Sequence, residues 1–239
     1  QCILYSGFWG YGSVSTIKKH FGHDKPFEPT PETARHVSCC YRGRRGSEAT
    51  LGHTRHRMKY PSPAGIEEMK ARGYDRSTIM HALELSKKWH EAESVRALIK
   101  KAFSGVKLGD GVGLHQAQGI DDYESAEVCA VYRECDEKDD WNRISVEDLN
   151  KCNSSLSFFD DEGMRFHLPA YLLADLNGEY GFCMAFVLTK TSQLEEQFGL
   201  LNKKQREAVR YYLKFIENEP EYAFDRGHIS NALSNYWSA

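Results

Sequence analysis

Leu156-Ser157-Phe158-Phe159-Asp160-Asp161-Glu162-Gly163-Met164-Arg165-Phe166-His167-Leu168-Pro169-Ala170-Tyr171-Leu172 is the stretch on which the fold turns. Two short apolar runs, Leu156 to Phe159 and Met164 to Leu168, flank an acidic turn that ends in glycine. Apolar runs separated by Asp and Gly read as a β-hairpin, so one short hairpin is expected near residues 156–168. On its second strand His167 alternates with Phe166 and Leu168 and so faces solvent or a neighbouring turn. Pro169 suits the first turn of a following helix that holds Tyr171, Leu172, Leu173 and Leu176.

Outward from this stretch the pattern is helical. Asp75 can cap a helix in which Ile79, Met80 and Leu83 share a face, and Ser94 can cap another that stops at Gly105. A glycine-rich turn covers residues 107–113, followed by a short helix from Leu114 to Tyr123 and one capped by Ser125. Ser145 with Asp148 resembles a capping box, and Asn202 is a good cap for a helix placing Val209, Tyr212, Leu213 and Ile216 at helical spacing. Pro220 separates it from a last helix ending near Tyr236 and Trp237. The expected fold is mainly α, in the α+β sense: a compact helical domain with one hairpin. Its core is expected to join Phe103, Trp141, Phe158, Phe166, Leu168, Tyr171, Leu172, Val209 and Leu213.

Charge divides the chain. Residues 1–64 carry ten Lys/Arg against four Asp/Glu, whereas residues 65–239 carry 21 against 30. The first segment is rich in Gly, Ser, Pro, His and Arg and lacks apolar periodicity, so an irregular or disordered basic segment is expected over 1–64. An acidic helix-rich domain is expected over 65–239. The break also raises the expectation that residues 1–57 stand outside the functional fold, with Met58 or Met69 as a natural start. No apolar run approaches the ~20 residues that span a bilayer. The seven cysteines show no repeated spacing and read as reduced residues of a cytoplasmic protein.

Residues 121–148 hold eleven Asp/Glu and three Lys/Arg, including Asp139 and Asp140. They read as a solvated face, as a patch for a basic protein partner or, less naturally, as a hard-cation site. Asp160 and Asp161 with His167 could form an acid–base or metal pair, although turns recruit Asp for backbone reasons. His36, Cys39, Cys40, His53 and His56 evoke a zinc finger but lack its cysteine spacing. Arg42 to Arg45 could touch phosphates, yet few aromatics are interleaved and the rest of the chain is acidic, so nucleic-acid binding is not favoured. The glycine-rich turn has no Gly-Lys-Ser/Thr, and no nucleophile-elbow, His-Glu-x-x-His or Cys-x-x-Cys motif occurs. No catalytic residue, metal or cofactor is expected.

Three blocks carry a resemblance: Gly105-Val-Lys-Leu-Gly-Asp-Gly-Val-Gly-Leu-His-Gln-Ala-Gln-Gly-Ile-Asp-Asp-Tyr123; Asp140-Trp141 with Ser157-Phe-Phe and Phe166-His-Leu-Pro-Ala-Tyr-Leu172; and Leu201-Asn-Lys-Lys-Gln-Arg-Glu-Ala-Val209 with Tyr212-Leu213. In that order they resemble a bacterial family of small helix-rich proteins of unknown function, over roughly residues 94–218. His167 stands where that pattern expects an aromatic residue, often Tyr. The resemblance implies a fold and no catalytic residue. Function is therefore expected to be a non-enzymatic protein-interaction or regulatory role. The alternative is a metal-dependent or acid–base hydrolase using the 121–167 carboxylates and His167.

Overall fold

The computed structural model describes residues 59–189 and 194–238. Among them are eleven α-helices: α1 Pro63–Ala71, α2 Arg76–Ser86, α3 Trp89–Ala102, α4 Leu114–Asp121, α5 Ala126–Cys135, α6 Val146–Lys151, α7 Asp161–Leu176, α8 Met184–Thr189, α9 Leu194–Phe198, α10 Lys203–Glu217 and α11 Arg226–Asn235. Three 3₁₀ turns intervene, at Trp141–Arg143, Asn153–Ser157 and Pro220–Tyr222.

The expected hairpin is replaced by helix. Its first run begins in the 3₁₀ turn Asn153–Ser157 and continues through Phe158 and Phe159 to the cap at Asp160, and its second run lies inside α7. Among the described residues there is no strand. Asp160 decides the outcome: its carboxylate accepts the Gly163 N–H at 2.9 Å and caps α7, with Asp161 and Glu162 in the first turn. The acidic tetrapeptide is thus a helix start, where carboxylates meet unpaired N–H groups and the positive end of the dipole. Pro169 is the ninth residue of α7 rather than a residue of its first turn. It removes one N–H from the ladder, and the helix runs on because packing on nearly every side holds it.

That packing places α7 at the centre. It lies against α3, α6, α8, α9 and the Trp141 turn, and twelve of its residues are buried. Phe103, Trp141, Phe166, Leu168, Tyr171, Leu172, Val209 and Leu213 all join the core. Phe158 is only half-buried, and its neighbour Phe159 takes the interior position. Asp75, Ser125, Ser145 and Asn202 cap their helices. Ser94, by contrast, sits inside α3, which starts five residues earlier at Trp89, and its hydroxyl bonds back to His90 O.

Lys59 and Tyr60, before the boundary expected at residue 65, join the packed unit. The Lys59 amide donates to Asn177 O at 3.0 Å. Tyr60 is fully buried and meets Phe215 edge-on, with centroids 5.3 Å apart. Residues 69–239 should therefore melt about 5–10 °C below residues 59–239 in calorimetry, because the shorter chain lacks Tyr60 and Ile66. Equal midpoints would show that this strap adds nothing. Residues 1–58, with the zinc-like and basic stretches, lie outside the described residues.

Candidate functional site

The glycine-rich segment 105–113 passes between the N-terminus of α7 and the C-terminus of α5. A Cβ on Gly111 would stand 2.5 Å from the Gly163 amide nitrogen, so the two backbones touch. Asp160 Oδ1 accepts the Val112 N–H at 2.9 Å as well as that of Gly163, and this single carboxylate pins loop to helix. From the other side Arg133 donates to Gly109 O at 2.7 Å, and the Leu108 amide donates to Lys138 O.

At the end of this segment α4 begins, and Asp136 closes it. The Asp136 carboxylate is buried and accepts the backbone N–H groups of His115 (2.9 Å) and Gln116 (3.2 Å). It is a cap supplied from another helix, stabilised by the positive end of α4. Gly113 lies so close that a Cβ there would be 2.0 Å from Asp136 Oδ2. His115 Nδ1–H donates to Asp136 Oδ1 at 2.7 Å, its Nε2 lies 3.9 Å from Asp148 Oδ1, and its side chain is partly exposed. A histidine oriented by a buried carboxylate is the arrangement that general bases use. Asp136 is equally explained as a helix cap.

The residues singled out in sequence do not converge. Asp139 is exposed and pairs with Lys107 at 2.9 Å, which holds its carboxyl below the usual range. Asp140 caps the Trp141 turn through the Asn142 N–H, and the Asn142 side chain and amide lower its pKa. Asp160 caps α7, and Asp161 stands in the first turn beside it. His167 is wholly buried, contrary to the solvent-facing position expected on a strand; on a helix wrapped from all sides, alternation with Phe166 and Leu168 has no meaning. Its Nδ1–H donates to Gly163 O at 2.7 Å, which fixes the tautomer, and its ring stacks on Phe159 at 4.4 Å. Nε2 has no hydrogen-bond partner among the described residues.

Burial disfavours the imidazolium and pushes His167 down to about 4, although the Gly163 carbonyl opposes the shift. The unfolded chain takes up a proton near pH 6.5 that the folded chain refuses until about pH 4. Stability is therefore fully present above pH 6.5 and lost as pH falls through that window, by about 3 kcal/mol at its end. Urea titrations of wild type and His167→Phe at pH 7 and 4.5 should show a smaller acid loss in the variant. Equal losses would place the acid sensitivity elsewhere.

A family model matches residues 91–239. The chain belongs to the DUF6714 family, a family of unknown function. The match runs from the start of α3 to the C-terminus and takes in the Asp160–loop–Asp136 junction, but leaves α1 and α2 outside it. No curated protein and no solved structure matches the chain. Membership brings no assigned activity. Among the described residues no three His, Cys, Asp or Glu side chains gather as a metal-ligand set, and no helix is long and apolar enough to cross a membrane.

Sequence reasoning missed His115 and the capping role of Asp136. A histidine following a glycine-rich turn at a helix start was the available signal. Its partner lies 21 residues away, and only the fold joins them.

Proposed function

We propose that this DUF6714 member is a non-enzymatic protein-interaction domain of the cytoplasm that binds a basic protein surface through its acidic 121–148 side. The observation that carries the reading is Tyr123. It is 91% exposed and holds φ +58°, unlike any other non-glycine residue described. It follows α4 where the Tyr123 and Glu124 amides close back on Ile120 O and Gly119 O, a left-handed helix end that ordinarily takes glycine. Neither packing nor local conformation calls for tyrosine there.

Asp122, Glu124 and Glu127 around it are exposed carboxylates. An arginine or lysine of a partner can lie over the Tyr123 ring, about 0.5–2 kcal/mol for such a contact, while the carboxylates steer its approach. Other acids of the segment serve the fold: Asp136 caps α4, Asp140 the Trp141 turn, Glu137 accepts three successive amides from residues 138–140, and Asp139 pairs with Lys107.

The test is affinity capture by the full chain and by Asp122→Lys/Glu124→Lys, at about 0.05 and 0.5 M salt. A basic protein retained by wild type, released by salt and lost at least tenfold from the variant supports the reading. Equal capture by both chains overturns it. Tyr123→Gly separates the roles further. Relief of the left-handed backbone should raise unfolding stability by about 1 kcal/mol while capture falls. A destabilised Tyr123→Gly would mean that the ring serves the fold.

The second reading, an acid–base hydrolase, draws support from the His115–Asp136 pair; His167 is out of any substrate's reach. A hydrolase activity of the chain that His115→Ala lowers a hundredfold, with the fold intact, favours it. Activity unchanged by that substitution removes it.

A further inference from the structure

Helix α2 lies outside the family match and packs on α1 and α3 through one narrow side, where Ala82 is its only buried residue. At 100° per residue, Arg76, Met80, Leu83, Glu84 and Lys87 all fall on the opposite side of the helix. Met80 is 52% exposed and Leu83 36%, and Tyr74, just before the helix, is 44% exposed. The charges on this face are ordered: Arg76 stands four residues before Met80 and Glu84 four residues after it.

An isologous contact places the same patch on both subunits, so residue i meets residue j and j meets i. Two α2 helices laid antiparallel about a two-fold axis at Met80 bring Arg76 of each copy opposite Glu84 of the other. Met80 meets Met80, and Leu83 flanks the pair on either side. The same register carries Lys87 to the other copy's Gly73, next to Tyr74. A parallel pairing would set Arg76 against Arg76 and Glu84 against Glu84. Glu84 makes an exposed ion pair with Lys87 at 2.6 Å in its own chain, which is weak enough to be exchanged.

We propose that the chain forms a two-fold dimer through α2, with the helices antiparallel and Met80 at the axis. The helix has 11 residues, so the contact is small, and the dimer dissociates at concentrations on the order of 10 µM.

Sedimentation velocity of the full chain from about 1 to 200 µM tests this. Wild type should shift from monomer to dimer across that range. Met80→Glu should stay monomeric with an unchanged melting midpoint, because Met80 faces solvent in the monomer. Arg76→Glu and Glu84→Arg should each weaken the dimer at least fivefold, and Arg76→Glu/Glu84→Arg should restore it. A chain that stays monomeric throughout overturns the proposal. So does a dimer that survives Met80→Glu, held instead by another exposed apolar residue such as Phe224, 98% exposed, and so does a double variant no tighter than the single ones.

Discussion

Trp141→Ala should cost about 3–5 kcal/mol of unfolding free energy, the range for a large aromatic truncated in a core. The charged run before Trp141 ends in a tight turn capped by Asp140, and that turn carries the indole inward to 3% exposure. Its Nε1–H donates to Phe103 O at 2.9 Å. Phe103 caps the end of α3, and its carbonyl also accepts the Val106 N–H at 3.2 Å. Truncation removes the apolar surface and leaves that carbonyl with the Val106 N–H but without the indole donor. Trp141→Phe separates the two effects: it keeps most of the ring and loses the bond, at about 1–2 kcal/mol. A loss below ~1 kcal/mol for Trp141→Ala in urea titration would make the residue peripheral.

Asp175→Ala should cost a similar amount, about 3–5 kcal/mol, for a polar reason. Asp175 is buried at the end of α7 and accepts the hydroxyls of Tyr212 at 2.5 Å and Tyr222 at 2.7 Å. Removing the carboxylate leaves both buried hydroxyls without their acceptor, at about 1–3 kcal/mol each, and opens a space between them. Asp175→Asn keeps an acceptor and should cost far less. Burial raises the Asp175 pKa, against the two tyrosine hydrogen bonds that lower it. The folded chain therefore holds this proton above the ordinary carboxylate range. Stability from this group is full below the unfolded value and lost as pH rises through the folded one, opposite in sign to His167. Asp175→Asn should remove that alkaline-side loss in urea midpoints measured from pH 3 upward. An unchanged pH profile would contradict the assignment.

Most helices were legible because their ends are marked chemically. Asp75, Ser125, Ser145 and Asn202 each stand before an apolar rhythm and accept an N–H three residues on. The exception is the central helix. Buried on almost every side, α7 has no polar face, so the 3.6-residue period that announces a helix is absent from Met164 to Leu176. Asp and Gly serve hairpin turns and helix starts alike, and here the start won because Asp160 also had the Val112 amide to satisfy. The same ambiguity hid the site. Asp136 reads as one carboxylate in an acidic run, and its role depends on α5 ending beside the start of α4. Tyr123 could be seen but not weighed, since its left-handed backbone and its exposure are properties of the fold.

The central claim is that Tyr123 and its carboxylates meet a basic protein. Placing a photoreactive benzoylphenylalanine at position 123 in the native host tests it most directly, with Tyr211, an exposed tyrosine of α10, as the control position. The expected result is a discrete crosslinked protein rich in Lys and Arg from position 123, lost when Asp122 and Glu124 are changed to Lys, and no such product from position 211. No crosslink from position 123, or the same products from both positions, would contradict the claim.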